Sequence, residues 1–178
     1  MGSLNEEGSG LMTKTYTTRF GSLADYRKGS IDIIDDDPTR YAFSNVFEVA
    51  AGARPYEKVA VGKNRQYVVE AIRAEGTSEW RTSPHDEFAL VMDGEVEIRL
   101  QKLGADDIGP TVERGSNALD GAPSGPAMGR VVAGRGHMTL LPVGAAYQFH
   151  AERPGVILLQ TQEGPDTVLR WADIIQTN

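Results

Sequence analysis

From Glu95 to Leu100 the chain alternates strictly between charged and apolar residues. Only an extended strand has a side-chain period of two, so this stretch must be a strand with one wet face and one buried face. Val96, Ile98 and Leu100 form the apolar side; Glu95, Glu97 and Arg99 form the polar side. Arg65–Arg73 mixes β-branched and aromatic residues in the same manner, and His137–Leu141 and Gly155–Thr161 read as further strands, the last buried on both faces. Turn residues separate them at Asp93-Gly94, Pro142-Val143-Gly144 and Arg153-Pro154-Gly155. Short strands at this spacing predict an all-β sandwich or barrel rather than an α/β sheet.

Three segments break the pattern. Ser22–Lys28 is expected to be a short helical turn, followed by a solvated acidic turn at Asp35-Asp36-Asp37-Pro38. Pro165–Gln176 places Val168, Leu169, Trp171, Ile174 and Ile175 at the spacing of one amphipathic helix packed on the barrel. Leu103–Arg130 is rich in glycine, proline and serine and has little periodicity. A loop of that length is uncommon inside a compact domain, and mobility or function usually accounts for it.

At 178 residues the chain suits one domain. We divide it into a flexible tail over 1–12, an extension with the first strands over 13–60 that can serve as an interface, and a barrel over 61–178. The barrel carries the 103–130 loop and the C-terminal helix. With no cysteine, disulfides, thiolate metal sites and cysteine nucleophiles are excluded, which fits a reducing cytoplasm. No apolar run reaches the roughly 20 residues of a membrane span, and no secretory signal pattern opens the chain. The net charge of -7, without a basic cluster beyond Arg27-Lys28, argues against nucleic acid or an anionic membrane as partner.

Two blocks of residues resemble the motifs of the cupin superfamily, a double-stranded β-helix or jelly-roll barrel. Gly76, Glu87 and Gly94 hold the framework of its first motif, and Gly136, Pro142 and Gly144 that of its second. The positions that usually carry metal ligands do not match. Arg81 and Ser83 stand where the first motif has two histidines, Tyr147 where the second has its histidine, and Ala151 where it has asparagine. Only Glu87 is retained. A divalent metal wants converging imidazoles or carboxylates, whereas a guanidinium has no lone pair to give. Of the three histidines, His85 can face the same way as Glu87, while His137 and His150 lie away from the ligand position.

The candidate pocket or interface residues are therefore Trp80, Arg81, Ser83, His85, Glu87 and Tyr147. Each also has an ordinary structural role open to it. Trp80 can be a core or rim aromatic, Arg81 and Glu87 an ion pair, and Tyr147 a filler whose hydroxyl binds Glu87 or Arg81. His85 beside Asp86 has the composition of an acid–base pair, but adjacent strand residues point to opposite faces. An arginine with aromatic neighbours can instead bind a phenol or an aromatic anion.

Longer phrases sharpen the resemblance. Asp25–Ala51, Arg54–Arg81, His85–Leu100 and Arg135–Thr161 are similar to the small subunit of two-component hydroquinone 1,2-dioxygenases, from about Tyr16 to Trp171. The resemblance implies a heterotetramer of small and large cupin subunits. It also implies Fe(II) in the large subunit and O2-dependent cleavage of hydroquinone to 4-hydroxymuconic semialdehyde in the breakdown of 4-nitrophenol and related phenols. On that reading this chain holds no metal and has no catalytic residue of its own. It contributes the Trp80–Arg81 edge and the long loop at the interface or at the mouth of the partner's pocket. Two readings stand beside it: a free-standing, metal-independent cupin that binds or converts a phenolic or sugar-like ligand through Arg81, His85 and Tyr147, and a metal cupin with unusual ligands, His85 and Glu87 among them.

Overall fold

The computed structural model describes residues 21–26, 45–105, 107 and 114–170. One helix and ten strands follow in the order α1 (Val46–Gly52), β1 (Lys58–Lys63), β2 (Tyr67–Thr77), β3 (Arg81–Thr82), β4 (Glu87–Asp93), β5 (Glu95–Lys102), β6 (Asn117–Ala118), β7 (Ala127–Gly134), β8 (Met138–Leu141), β9 (Ala145–Gln162) and β10 (Thr167–Val168). The barrel is organised by β9, whose 18 residues run through the middle of one ten-stranded sheet. Its first half pairs with β3 on one side and β5 on the other, and its second half with β2 and β4. The sheet then runs outward to β6 and β7 at one end, and to β1, β10 and β8 at the other. One ten-stranded sheet curled about the bent strand β9 forms the barrel.

The bend corrects the sequence reading, which placed a turn at Arg153-Pro154-Gly155. The chain stays extended there while the register with β2 jumps, from Ala74 opposite Gly155 to Gly76 opposite Ala151. Proline has no N–H for a ladder, so an unpaired bulge suits it. Close approach explains the glycine: a Cβ on Gly155 would sit 2.7 Å from the Asp93 carbonyl oxygen, and one on Gly94 2.9 Å from Gly155 Cα. Gly94 also has φ +76°, as the tight β4–β5 turn requires.

The alternating strand emerges as β5, with Val96 and Ile98 fully buried and Leu100 packed against the same cluster. Phe149, Ile157, Leu159 and Leu141 complete that inner core. The Gly155–Thr161 run is buried on the inner face, but Gln160 on its outer face is exposed.

Outside the barrel, α1 covers the sheet at β1 and β2. Asn45 caps it, its side-chain oxygen accepting from Phe47 N and Glu48 N. Val49 and Ala53 then bury against Val59, Val61 and Ala71. This helix was not anticipated, although Val46, Val49, Ala50 and Ala53 carry the i, i+3, i+4, i+7 signature.

The helical turn expected from Ser22 is a bend through Tyr26, closed by Asp25 N on Ser22 O, and residues 27–28 lie outside the described residues. The 1–12 tail and the Asp35–Asp37 turn also lie outside them. Where the C-terminal helix was expected, Thr167–Val168 instead forms β10, parallel to β1. The rest of that segment, from Trp171, is not described. Within the 103–130 loop, residues 117–118 are β6 and β7 begins at Ala127. Among the described residues, no helix is long and apolar enough to cross a membrane.

Candidate functional site

Inside the barrel, the apolar core gives way at one end to charged and hydroxyl side chains. Their inward aim follows from strand register. Glu70 is the cross-strand partner of Leu159 and Lys58 that of Ile72, both core residues, so each shares a face with the interior. Arg81 is paired with Tyr147 across β3 and β9. Glu70 and Glu87 are fully buried, and Lys58 is 4% exposed.

The centre of this chamber is Ser116, from the loop between β5 and β7. It is fully buried, and four bonds converge on it. Its Oγ accepts from Arg81 Nε at 2.7 Å and from the Tyr147 hydroxyl at 2.7 Å. Its carbonyl accepts from Arg81 Nη2 at 2.8 Å and from Lys58 Nζ at 2.9 Å. Pairing of β6 with β3 holds the loop in place, and Leu119 N donates to the Trp80 carbonyl at 2.8 Å. The described part of the long loop thus packs across the barrel end through Ser116.

Arg81 and Glu87 are not the ion pair considered above. Arg81 bonds Asp166 and Ser116, with Glu79 at 3.6 Å. Glu87 accepts through Oε1 from the Thr161 hydroxyl at 2.5 Å. Nor does the Tyr147 hydroxyl bind Arg81; it donates to Ser116, with the Glu87 carboxyl close enough to act on it as expected. Thr161 also meets His85 Nε2 at 3.2 Å, and that nitrogen faces Gln162 N–H at 3.2 Å. Accepting from a backbone N–H leaves the neutral ring's proton on Nδ1, which lies 2.9 Å from Ser83 Oγ. Burial lowers the His85 pKa, which favours the neutral ring, against an opposing effect of Asp86. Asp86 turns the other way and accepts from Val143 N. Trp80 is half-buried at the seam between β3 and the loop.

Burial dominates the chamber's electrostatics. It pushes the Glu70 carboxyl up to about 7, against the opposing pull of Lys58 and the Thr167 hydroxyl, which donates to Oε1 at 2.6 Å. It raises Glu87 against Thr161, and raises Tyr147 well above the usual phenol value, helped by the nearby Glu87 charge. It lowers Lys58, with Glu70 opposing. Oε2 of Glu70 and Oε2 of Glu87 are buried without a hydrogen-bond partner among the described residues. An orphaned carboxylate oxygen is costly, which acts in the same direction as burial on both carboxyls.

A divalent metal does not fit this donor set. The position has one carboxylate engaged by Thr161, a guanidinium and an ammonium on Ser116, and a phenol held protonated by burial. His137 sits in its own turn and His150 bonds Thr77, both away from the chamber. Among the described residues, no three His, Asp or Glu groups could hold a metal ion. Sequence reasoning missed Ser116, Lys58, Glu70 and Thr161.

Comparison with solved structures places this arrangement. A chain of hydroquinone 1,2-dioxygenase from Sphingomonas sp. TTNP3 with 4-hydroxybenzoate bound is 56% identical, with a TM-score of 0.83 over 92% of this chain and 99% of that one. This chain belongs to the hydroquinone 1,2-dioxygenase family. A chain of hydroquinone 1,2-dioxygenase PnpCD, in complex with Cd2+ and 4-hydroxybenzonitrile, is 50% identical, with a TM-score of 0.82 and the same coverage. A second kind of chain, in PnpCD with Fe3+, is 10% identical with a TM-score of 0.56. The match covers 87% of this chain but 43% of that one, so the longer chain shares the fold. No protein-family model and no curated protein matches the chain.

Proposed function

We propose that this chain is the small, non-metal-binding subunit of an Fe(II)-dependent hydroquinone 1,2-dioxygenase. The iron belongs to a larger cupin subunit, and two copies of each form a heterotetramer in the cytoplasm. The complex cleaves hydroquinone with O2 to 4-hydroxymuconic semialdehyde, both oxygen atoms entering the product, as a step in the breakdown of 4-nitrophenol-type phenols. The observation that carries the reading is Ser116. Bound by Arg81, Tyr147 and Lys58, it occupies the place where a cupin would hold metal and substrate, leaving this barrel a supporting role. The longer chain of the same fold in a structure of a family member supports it.

In this role Arg81, Glu87 and Tyr147 hold the loop and the barrel end rigid. On this reading Trp80, half-buried beside the loop, meets the partner at the interface or at the mouth of its pocket. Tryptophan and arginine are enriched where interfaces concentrate their binding energy. A free-standing phenol-binding cupin would need the Arg81, Tyr147 and Lys58 donors for its ligand, and Ser116 takes them up.

Oxygen uptake with hydroquinone and Fe(II) tests the proposal. Activity is expected only when this chain and the larger cupin are combined. Full activity from this chain alone overturns it.

A further inference from the structure

We propose that the flank formed by β4, β7 and β8 is the docking surface for the larger cupin subunit. This rests on the subunit reading above and assigns that reading a surface.

The flank stands out by composition. Of the nine large hydrophobic residues exposed among the described residues, seven lie on these strands or in the turn after β8. On β8, Met138 is 63% exposed and Leu140 46%; on β7, Val132 is 53% and Met128 45%. Both are edge strands among the described residues, β8 pairing with β4 and β7 with β5. Residues 127–132 are exposed in unbroken succession, on both faces of β7. Natural edge strands are normally shielded by charge, proline or a covering element.

Cross-strand register shows that the bare region continues a covered one. A single row on the outer face runs Val59, Ala71, Leu158, Leu90, Met138 through successive partners. Helix α1 buries the first part of that row, packing on Val59 and Ala71, with Leu158 at its margin. The sheet carries on with the same apolar character to Met138, and Phe88 beside Leu140 widens the strip. A second apolar surface is what such a strip accepts.

Charge and area narrow the occupant. Several ionised groups beside the flank are matched within the chain, Asp93 with Arg135 and Glu97 with Arg99 and Arg130. The surface thus asks chiefly for an apolar partner. The seven side chains expose on the order of 500 Å², the size of patches that mark interaction sites and much of the ~800 Å² each partner gives a standard interface. A second copy would bring another charge of -7 against this one, a repulsion that a different chain need not carry. By contrast the barrel mouth presents Arg54, Glu57, Glu75, Glu79 and Asp166 around a cavity of about 530 Å³, a charged rim that offers no apolar strip of this extent.

The test is co-expression of the tagged chain with the larger cupin, comparing wild type with Met138→Lys/Leu140→Lys and, separately, Val132→Lys. Circular dichroism and size of each isolated chain report folding. We expect each variant to retain at least tenfold less of the larger chain, with the isolated chain folded and unchanged in size. Folded variants that retain it as wild type does overturn the inference and leave the subunit reading intact. So does an isolated wild-type dimer that the substitutions split while the larger chain stays bound, since the face would then serve a second copy. If the wild type retains no larger chain, the subunit reading falls and the inference with it.

Discussion

The Tyr147 hydroxyl donates to Ser116 Oγ at 2.7 Å, tying the central strand of the barrel to a loop 31 residues earlier in the chain. Arg81 Nε donates to the same oxygen. Ser116→Ala removes the acceptor of two groups at once, and Tyr147 is 2% exposed. The variant should lose about 1–3 kcal/mol of unfolding free energy. Urea denaturation measures it; a loss below about 0.5 kcal/mol, the range of ordinary surface changes, would show that the loop is not anchored there.

Glu70 gives the fold a pH dependence with a definite sign. Its carboxyl is pushed up to about 7 in the folded chain from 4.5. The folded state therefore binds the proton more tightly than the unfolded one. Its contribution is fully present below about 4.5, falls by about 1.4 kcal/mol per pH unit through the window, and is gone above about 7. Glu70→Gln keeps the shape without the titration. Denaturant midpoints at about pH 5 and pH 8 should differ less in the variant than in wild type, once expressed as a difference between the two proteins. Equal pH dependence in both would remove Glu70 as the source.

Arg81 and Lys58 both bond Ser116 at the barrel end, so a divalent ion gains nothing there. Ligands that bind the folded state raise its melting temperature. The melting temperature of the isolated chain should be the same, within about 1 °C, with a chelator or with excess Fe(II). A rise of several degrees specific to Fe(II) would restore the reading of a metal cupin with unusual ligands.

Asn45 is the start signal of α1, accepting from Phe47 N at 3.1 Å and Glu48 N at 3.3 Å. Asn45→Ala should cost about 1 kcal/mol. A midpoint shift in urea denaturation checks it. No change would mean that packing of Val49 and Ala53 alone holds the helix.

Residues that reported the fold did so locally. The alternation at Glu95–Leu100 became β5. Gly94, Gly136 and Gly144 adopt positive φ at the turns where the cupin framework placed them, and Gly76 does so inside β2, at the bulge opposite β9. Each signal lies within a few residues of the structure it dictates, so sequence alone sufficed. Arg153-Pro154-Gly155 was misread for the complementary reason: proline and glycine mark a break in pairing, but tertiary context decides whether the chain turns back or bends onward. Here Asp93 and Gly94 press against Gly155, and the strand continues.

The candidate site was legible only in part. Arg81, Glu87 and Tyr147 could be named because a known motif fixed their positions, and the mismatch at its ligand positions was visible in the sequence. Their partners could not be named. Lys58 and Glu70 are charged residues within strands, and in a sequence such residues read as facing water. Ser116 sits in a stretch without periodicity. What brings residues 58, 81, 116, 147 and 166 together is the closure of the barrel and the return of the loop across its end. Burying a charge is tolerable only when partners from distant segments arrive with it, and those encounters exist only once the whole chain has folded.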